Sequence, residues 1–202
     1  MLCMYIAYPL GFILNLAVRG TMARHLFSTI TGFLLQFYMY RGQIVHPILM
    51  TVLTYIMMQV LPRKQQGKWV FVFVLAYLSG SHIYRMVTNF GGWDMDITTY
   101  TMILTAKLSA LAFCFGDGSY KNEDLLPEQI ERKVEKLPSP LEVASYVFYC
   151  SGCVVGPFFE FSDYIMYIEE RGRYSKIPIS IVPAIKRFLT GKRKHFGVDV
   201  TI

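Results

Sequence analysis

The feature that most restricts what this chain can become is the run length of its apolar stretches. Six of them, at residues 2–18, 26–40, 44–61, 69–87, 97–115 and 143–161, alternate with short charged connections. About 20 consecutive apolar residues make a helix long enough to cross the roughly 30 Å hydrocarbon core of a bilayer. Backbone N–H and C=O groups find no water there, so a spanning segment is either a helix or part of a closed barrel. Barrel strands alternate apolar and polar residues. These runs are continuously apolar, and helices follow. The expected fold is all-α: a polytopic integral membrane protein with about five to seven membrane-embedded helices. A seventh apolar segment, 177–189, is short and interrupted by proline, and reads as interfacial.

Composition supports this reading. Hydrophobic residues make up 53% of the 202 and charged residues only 17%, against about 25% charged in an ordinary soluble domain. A net charge of +6 would raise the question of nucleic acid in a soluble protein. Here the basic residues mark loops and headgroup contacts, and no nucleic-acid partner is expected. The connections after the first, third and fifth runs carry two, three and four basic residues; those after the second and fourth carry one each, Arg41 and Arg85. The odd connections are therefore expected on the cytoplasmic side. The eight basic residues after residue 161 break the scheme, which leaves the crossing at 143–161 open. The longest connection, 117–140, is a solvated loop with a short charged helix at 128–136 and Pro127 at its first position.

The motifs of soluble hydrolases and nucleotide-binding proteins are absent: the sequence holds no G-x-S-x-G and no G-x-x-x-x-G-K-[ST]. His195 and Asp199 have suggestive spacing but sit in a polar, basic tail. Cys150 and Cys153 form a C-x-x-C without the second ligand pair a zinc site needs, and read as small packing residues. No metal is expected. Ionisable residues at membrane depth are costly and so invite functional readings. Lys107, near the middle of its run, either faces a headgroup or acyl-carrier cavity, or snorkels or pairs with Asp94, Asp96 or Asp117; the structural readings are favoured. His46 and His82 read as packed, hydrogen-bonded histidines. Gly152 and Gly156 give a G-x-x-x-G, a spacing that lets helices approach closely. Gly156 and Pro157 then break the run, with Glu160, Asp163 and Tyr164 directly after. Irregular backbone at membrane depth is tolerated where it lines a cavity, so this break marks either a cavity wall or an ordinary helix end.

Three blocks carry a family resemblance. The first is Trp93-Asp94-Met95-Asp96-Ile97-Thr98, followed by Met102 to Phe113 around Lys107 and by Asp117-Gly118. The second is Leu137-Pro138-Ser139-x-Leu141-Glu142, followed by Val155-Gly156-Pro157-x-x-Glu160-Phe161-x-Asp163-Tyr164. The third is Ile177-Pro178 with Ser180 to Arg187. With Tyr8-Pro9 and His25-Leu26-Phe27-Ser28 upstream, this order resembles the membrane-bound O-acyltransferase (MBOAT) family, closest to its lysophospholipid acyltransferase branch. The resemblance implies transfer of a fatty acyl group from acyl-CoA to a lysophospholipid hydroxyl, with acyl-CoA as co-substrate, no resident cofactor, membrane lipids as surroundings and the endoplasmic reticulum as location. It also implies a catalytic histidine in a Trp-His-Gly motif. The only tryptophans here are Trp69 and Trp93, neither followed by histidine, so no catalytic residue is assigned. Residues 1–190 are expected to be the N-terminal part of a single MBOAT domain, an incomplete fold, with 191–202 a divergent tail. The 202 residues alone are expected to be inactive. The competing expectation is a non-catalytic truncated membrane protein or partner subunit. The substrate-cavity candidates are Lys107, Asp117, Gly156, Pro157, Glu160, Asp163 and Tyr164.

Overall fold

A computed structural model describes residues 2–92, 96–150, 152 and 158–175. Among these every regular element is helical: α1 (Leu2–Leu16), α2 (Thr21–Tyr40), α3 (Val45–Val60), α4 (Arg63–Thr88), α5 (Ile97–Asp117), α6 (Pro127–Arg132), α7 (Pro140–Val147) and α8 (Phe161–Ile168), with short 3-10 turns at Arg41–Ile44, Asn122–Asp124 and Gly172–Tyr174. Thr21–Val60, Arg63–Thr88 and Ile97–Asp117 are long and apolar enough to cross a membrane.

The 40 residues of Thr21–Val60 would reach about 60 Å as one helix, twice the hydrocarbon thickness. They are divided at the 3-10 turn, where Arg41 takes a φ of 48°. The break falls in the gap between the second and third apolar runs. α4 and α5 form an antiparallel hairpin, the most extensive pairing in the bundle. α4 starts at Arg63, six residues ahead of the expected span, so Lys64 and Lys68 belong to the helix rather than to a loop. Much of α4 is apolar and exposed, with Trp69, Phe71, Val72, Leu75, Ile83 and Val87 on its surface. α5 is the hub: Tyr100, Leu104, Lys107, Leu108 and Ala112 are fully covered.

The two ends of the bundle separate the charges as the loop pattern suggests. At one end Arg63 donates through Nε to the Phe115 carbonyl (2.8 Å) and through Nη2 to the carbonyls of Val134 (2.7 Å) and Glu135 (2.6 Å), and its guanidinium lies over the Phe115 ring. One basic side chain thus joins the start of α4, the end of α5 and the loop before α7. At the other end Arg85 pairs with Asp96 and donates to Thr98, near the contact of Gln43 with the Ile97 amide.

The run 143–161 is not one crossing helix. α7 begins at Pro140 and stops at Val147, about 12 Å in length, and among the described residues after it helix resumes at Phe161. Continuous apolarity reports burial, not helical continuity. α7 starts with a reciprocal cap: Ser139 Oγ accepts from the Glu142 amide and Glu142 Oε2 accepts from the Ser139 amide, with Pro140 at the first helical position. It packs against both α2 and α3, which make little contact with each other. The expected helix 128–136 is shorter, ending at Arg132 because Lys133 is no longer helical (ψ 141°). Gly152 lies in a turn, so it is not part of a helical G-x-x-x-G; Gly156, Pro157, the third resemblance block and the 191–202 tail lie outside the described residues.

α2 meets α7 at Gly32. A Cβ there would sit 1.4 Å from the Phe148 carbonyl oxygen, a backbone atom that cannot swing aside. Gly32→Ala is expected to destabilise the bundle by about 3 kcal/mol or more, the upper end of overpacking costs. Gly80→Ala, in α4 with nothing within 4 Å, is expected to be neutral or slightly stabilising by helix propensity. Thermal unfolding of the two variants in detergent micelles checks the contrast.

Candidate functional site

The last two carbonyls of α7 lie in the interior of the bundle with no further helical turn to receive them. α5 supplies the donors. Lys107 Nζ donates to the Tyr146 carbonyl (3.1 Å) and the Tyr100 hydroxyl donates to the Val147 carbonyl (2.7 Å). The C-terminal end of a helix carries partial negative charge, so the Lys107 ammonium sits where the field favours it. Its charge also faces the rings of Tyr146 (4.9 Å) and Phe159 (4.3 Å). Lys107 is fully buried, which excludes snorkelling to the interface. Asp96 and Asp117 lie at the two ends of α5, about 15 Å away along the helix. Pairing with either is thereby excluded, and Asp94 lies outside the described residues. Gly152 closes over the lysine: a Cβ there would meet Nζ at 3.2 Å and the Phe159 ring at 2.9 Å.

Around this cap the segment 158–160 and α8 bring a dense group of aromatic rings. Tyr146 packs edge-on against Phe159 and Phe161 and donates its hydroxyl to the Phe159 carbonyl (2.8 Å). Tyr149 packs against Phe159, Tyr164 and Tyr167. Tyr149, Phe159, Asp163, Tyr164, Tyr167 and Tyr174 enclose a cavity of about 150 Å³. Asp163, in the first turn of α8, is ion-paired with Arg173.

On the other side of Tyr164 is a buried polar group. His25 Nδ1 and Ser145 Oγ are 2.6 Å apart. The serine hydroxyl donates to the Glu142 carbonyl (2.9 Å), so the imidazole donates through Nδ1 to the serine oxygen. Tyr164 Oη lies against Ser28 and Ser145 but completes no hydrogen bond, and neither does Ser28 Oγ. Burial pushes the Tyr164 phenol well above its usual range, so it is a neutral hydroxyl with a proton to offer.

The sequence-derived candidates divide accordingly. Lys107, Glu160, Asp163 and Tyr164 converge where α5, α7 and α8 meet; Glu160 contacts Cys114 and pairs with Arg132 (3.3 Å). Asp117 does not join them. It is the last residue of α5 and accepts from Gln129 Nε2 (3.2 Å). Tyr146, Tyr149, Phe159, Ser28, Ser145 and His25 were not candidates. The signal for the rings was present in the aromatic spacing of residues 146–161. The serines carried no local signal at all.

Comparison with known proteins gives these residues a context. The family model "membrane-bound O-acyltransferase family" matches residues 42–194. The chain is 34% identical over 150 residues to chicken membrane-bound glycerophospholipid O-acyltransferase 2, covering 73% of this chain and 29% of that protein. It is 30% identical over 192 residues to human lysophospholipid acyltransferase 5, covering 93% and 39%, and 30% identical over 167 residues to the mouse counterpart of the chicken protein, covering 82% and 32%. The chain thus spans about a third of the length of the curated relatives it matches.

Lys107→Met removes the donor to the Tyr146 carbonyl and is expected to cost about 2–3 kcal/mol, because a buried acceptor is left bare. The check is chemical unfolding followed by reaction of Cys114 and Cys150 with a thiol reagent, which should react at lower denaturant in the variant.

Proposed function

The chain belongs to the membrane-bound O-acyltransferase family, and on that premise we propose that it forms part of a lysophospholipid acyltransferase of the endoplasmic reticulum, moving a fatty acyl group from acyl-CoA to the free hydroxyl of a lysophospholipid. The observation that carries the reading is the family match over residues 42–194, joined to relatives whose names specify glycerophospholipid and lysophospholipid acyl transfer. Integral membrane placement follows from the family and the apolar helices.

The reaction needs a hydroxyl brought onto a thioester carbonyl, deprotonated as it attacks, with water kept away. Holding both reactants in one site supplies part of such a rate increase by proximity. The described residues contribute to holding and shielding. The aromatic cavity beside α8 takes an apolar or cationic portion of a lipid, and its walls are rigid because each ring packs on at least one other. The Tyr164 hydroxyl, neutral and unfilled, offers a hydrogen bond to a glycerol or ester oxygen. Lys107 acts one layer behind: it holds the end of α7, and α7 holds the rings. General-base chemistry is not assigned to any described histidine, since none of them stands in a Trp-His-Gly motif.

The test uses the protein in its native membrane. With Tyr149→Ala introduced at the chromosomal locus, acyl-CoA-dependent conversion of lysophospholipid to phospholipid is expected to show a KM for the lysophospholipid raised about fivefold or more, with kcat changed less, as expected for lost ground-state binding. If membranes carrying the unaltered gene show no more conversion than membranes lacking it, across choline, ethanolamine, serine and inositol lysophospholipids, the acyltransferase reading falls.

A further inference from the structure

The cavity beside α8 is walled by five aromatic side chains, Tyr149, Phe159, Tyr164, Tyr167 and Tyr174, and by a single carboxylate, Asp163. Tyr149 meets Phe159 (5.6 Å between centroids, 80°), Tyr164 (5.6 Å, 68°) and Tyr167 (6.1 Å, 78°) at steep angles. Tyr174 meets Tyr167 in the same way (5.9 Å, 86°). Rings set edge-on to one another do not stack into a flat pile; they stand as walls facing different directions around a space. The Tyr167 wall is pinned at its tip, where the hydroxyl donates to Asn15 Oδ1 (2.7 Å).

The face of an aromatic ring carries negative potential and attracts a cation placed over it. Three rings of this cluster already hold one: Arg24 lies over Tyr167, Arg173 over Tyr174 and Lys107 over Phe159. None of these cations is among the described residues that line the cavity, whereas Asp163 is. Arg173, the partner of Asp163, is the more exposed of that pair, at 57% against 29%, so the carboxylate borders the space while the guanidinium stands toward the outside. The volume of about 150 Å³ is that of a cavity that takes benzene, and a trimethylammonium group is smaller than benzene. Charge alone does not decide the occupant. A primary ammonium brings three N–H donors, for which ring faces offer no acceptor and Asp163 only a carboxylate shared with Arg173. A quaternary ammonium has no donor to satisfy, and its methyl groups bury against the rings.

We propose that this cavity is an aromatic cage for a quaternary ammonium group, the trimethylammonium of a choline phosphoester, with Tyr149 as the principal ring and Asp163 as the counter-charge. The cage selects choline over ethanolamine. In the acyl transfer proposed above, a choline lysophospholipid is then the preferred acceptor; that consequence rests on the acyltransferase reading, whereas the cage is tested by binding alone. The choline belongs either to a lipid headgroup or to a soluble phosphoester.

Titration calorimetry on the purified chain in neutral maltoside micelles tests it, with dihexanoyl phosphatidylcholine, dihexanoyl phosphatidylethanolamine and glycerophosphocholine as probes. Saturable binding of a choline probe is expected, with the choline lipid held about fivefold or more tighter than the ethanolamine lipid. The tighter of the two choline probes identifies the source. Tyr149→Phe keeps the ring and should keep the preference. Tyr149→Leu keeps an apolar wall without the ring and should reduce the preference to about twofold or less. Tyr174→Leu, in the 3-10 turn after α8, makes the same comparison if loss of the Tyr149 ring unfolds the chain. Absence of binding by both choline probes, equal binding of the choline and ethanolamine lipids, or a choline preference that survives removal of the ring overturns the proposal. None of these results depends on acyl transfer, so the cage can fail while the acyltransferase reading stands.

Discussion

Everything in the interior of this bundle hangs on two hydrogen bonds that end a helix in a place where helices do not ordinarily end. The carbonyls of Tyr146 and Val147 lie deep among apolar helices, and α5 meets them with the Lys107 ammonium and the Tyr100 hydroxyl. Without donors there, stopping α7 would leave bare acceptors in a medium that cannot hydrate them, at several kcal/mol each. With donors, the chain is free to leave the helix at Phe148. The same lysine that neutralises the helix end is walled by Tyr146 and Phe159, so the charge, the helix terminus and the first rings of the aromatic cavity form one unit.

The rest of the packing positions α7 for that ending. The Ser139 and Glu142 cap fixes where it starts. Arg63 fixes the loop before it by gathering carbonyls from α5 and from residues 134 and 135. Gly32 lets α2 come close enough to touch the Phe148 carbonyl, which brings His25 onto Ser145 and Ser28 onto Tyr164. Membrane helices gain little from hydrophobic association among themselves and depend on close contact and interhelical hydrogen bonds. Each of these residues supplies one or the other.

Much of the fold was legible because apolar run length is a direct readout of the solvent. α2 and α3 meet at the predicted break, and α5 begins at Ile97 as its pattern indicates. The family resemblance, drawn from the order of Asp96-Ile97-Thr98, Leu137-Pro138-Ser139 and Glu160-Phe161-x-Asp163-Tyr164, holds over most of the chain. The crossing at 143–161 was left open for a definite reason. A segment covered by other helices is as apolar as a spanning one, and hydropathy cannot separate them. The boundary was nonetheless written locally: Ser139-Pro140-Leu141-Glu142 is a helix-start signature, and it places the start at 140 instead of 143. Of the site, Lys107 and Tyr164 could be picked out because charged or polar groups in apolar runs demand a reason. Ser28 and Ser145 could not, because a serine in a membrane helix commonly bonds its own backbone.

The sequence alone therefore settled the solvent, the helical class, the approximate places where helices start and stop, and the family, since each rests on local composition or on the order of short motifs. Tertiary structure alone decided what Lys107 does, which carbonyls it and Tyr100 serve, that Asp117 stands apart from the cavity, and that Arg24 lies buried against Glu170 and Asn15. Those facts depend on which helix faces pack together, and that is set by distances between residues up to 152 positions apart in the chain, where periodicity and propensity carry no information.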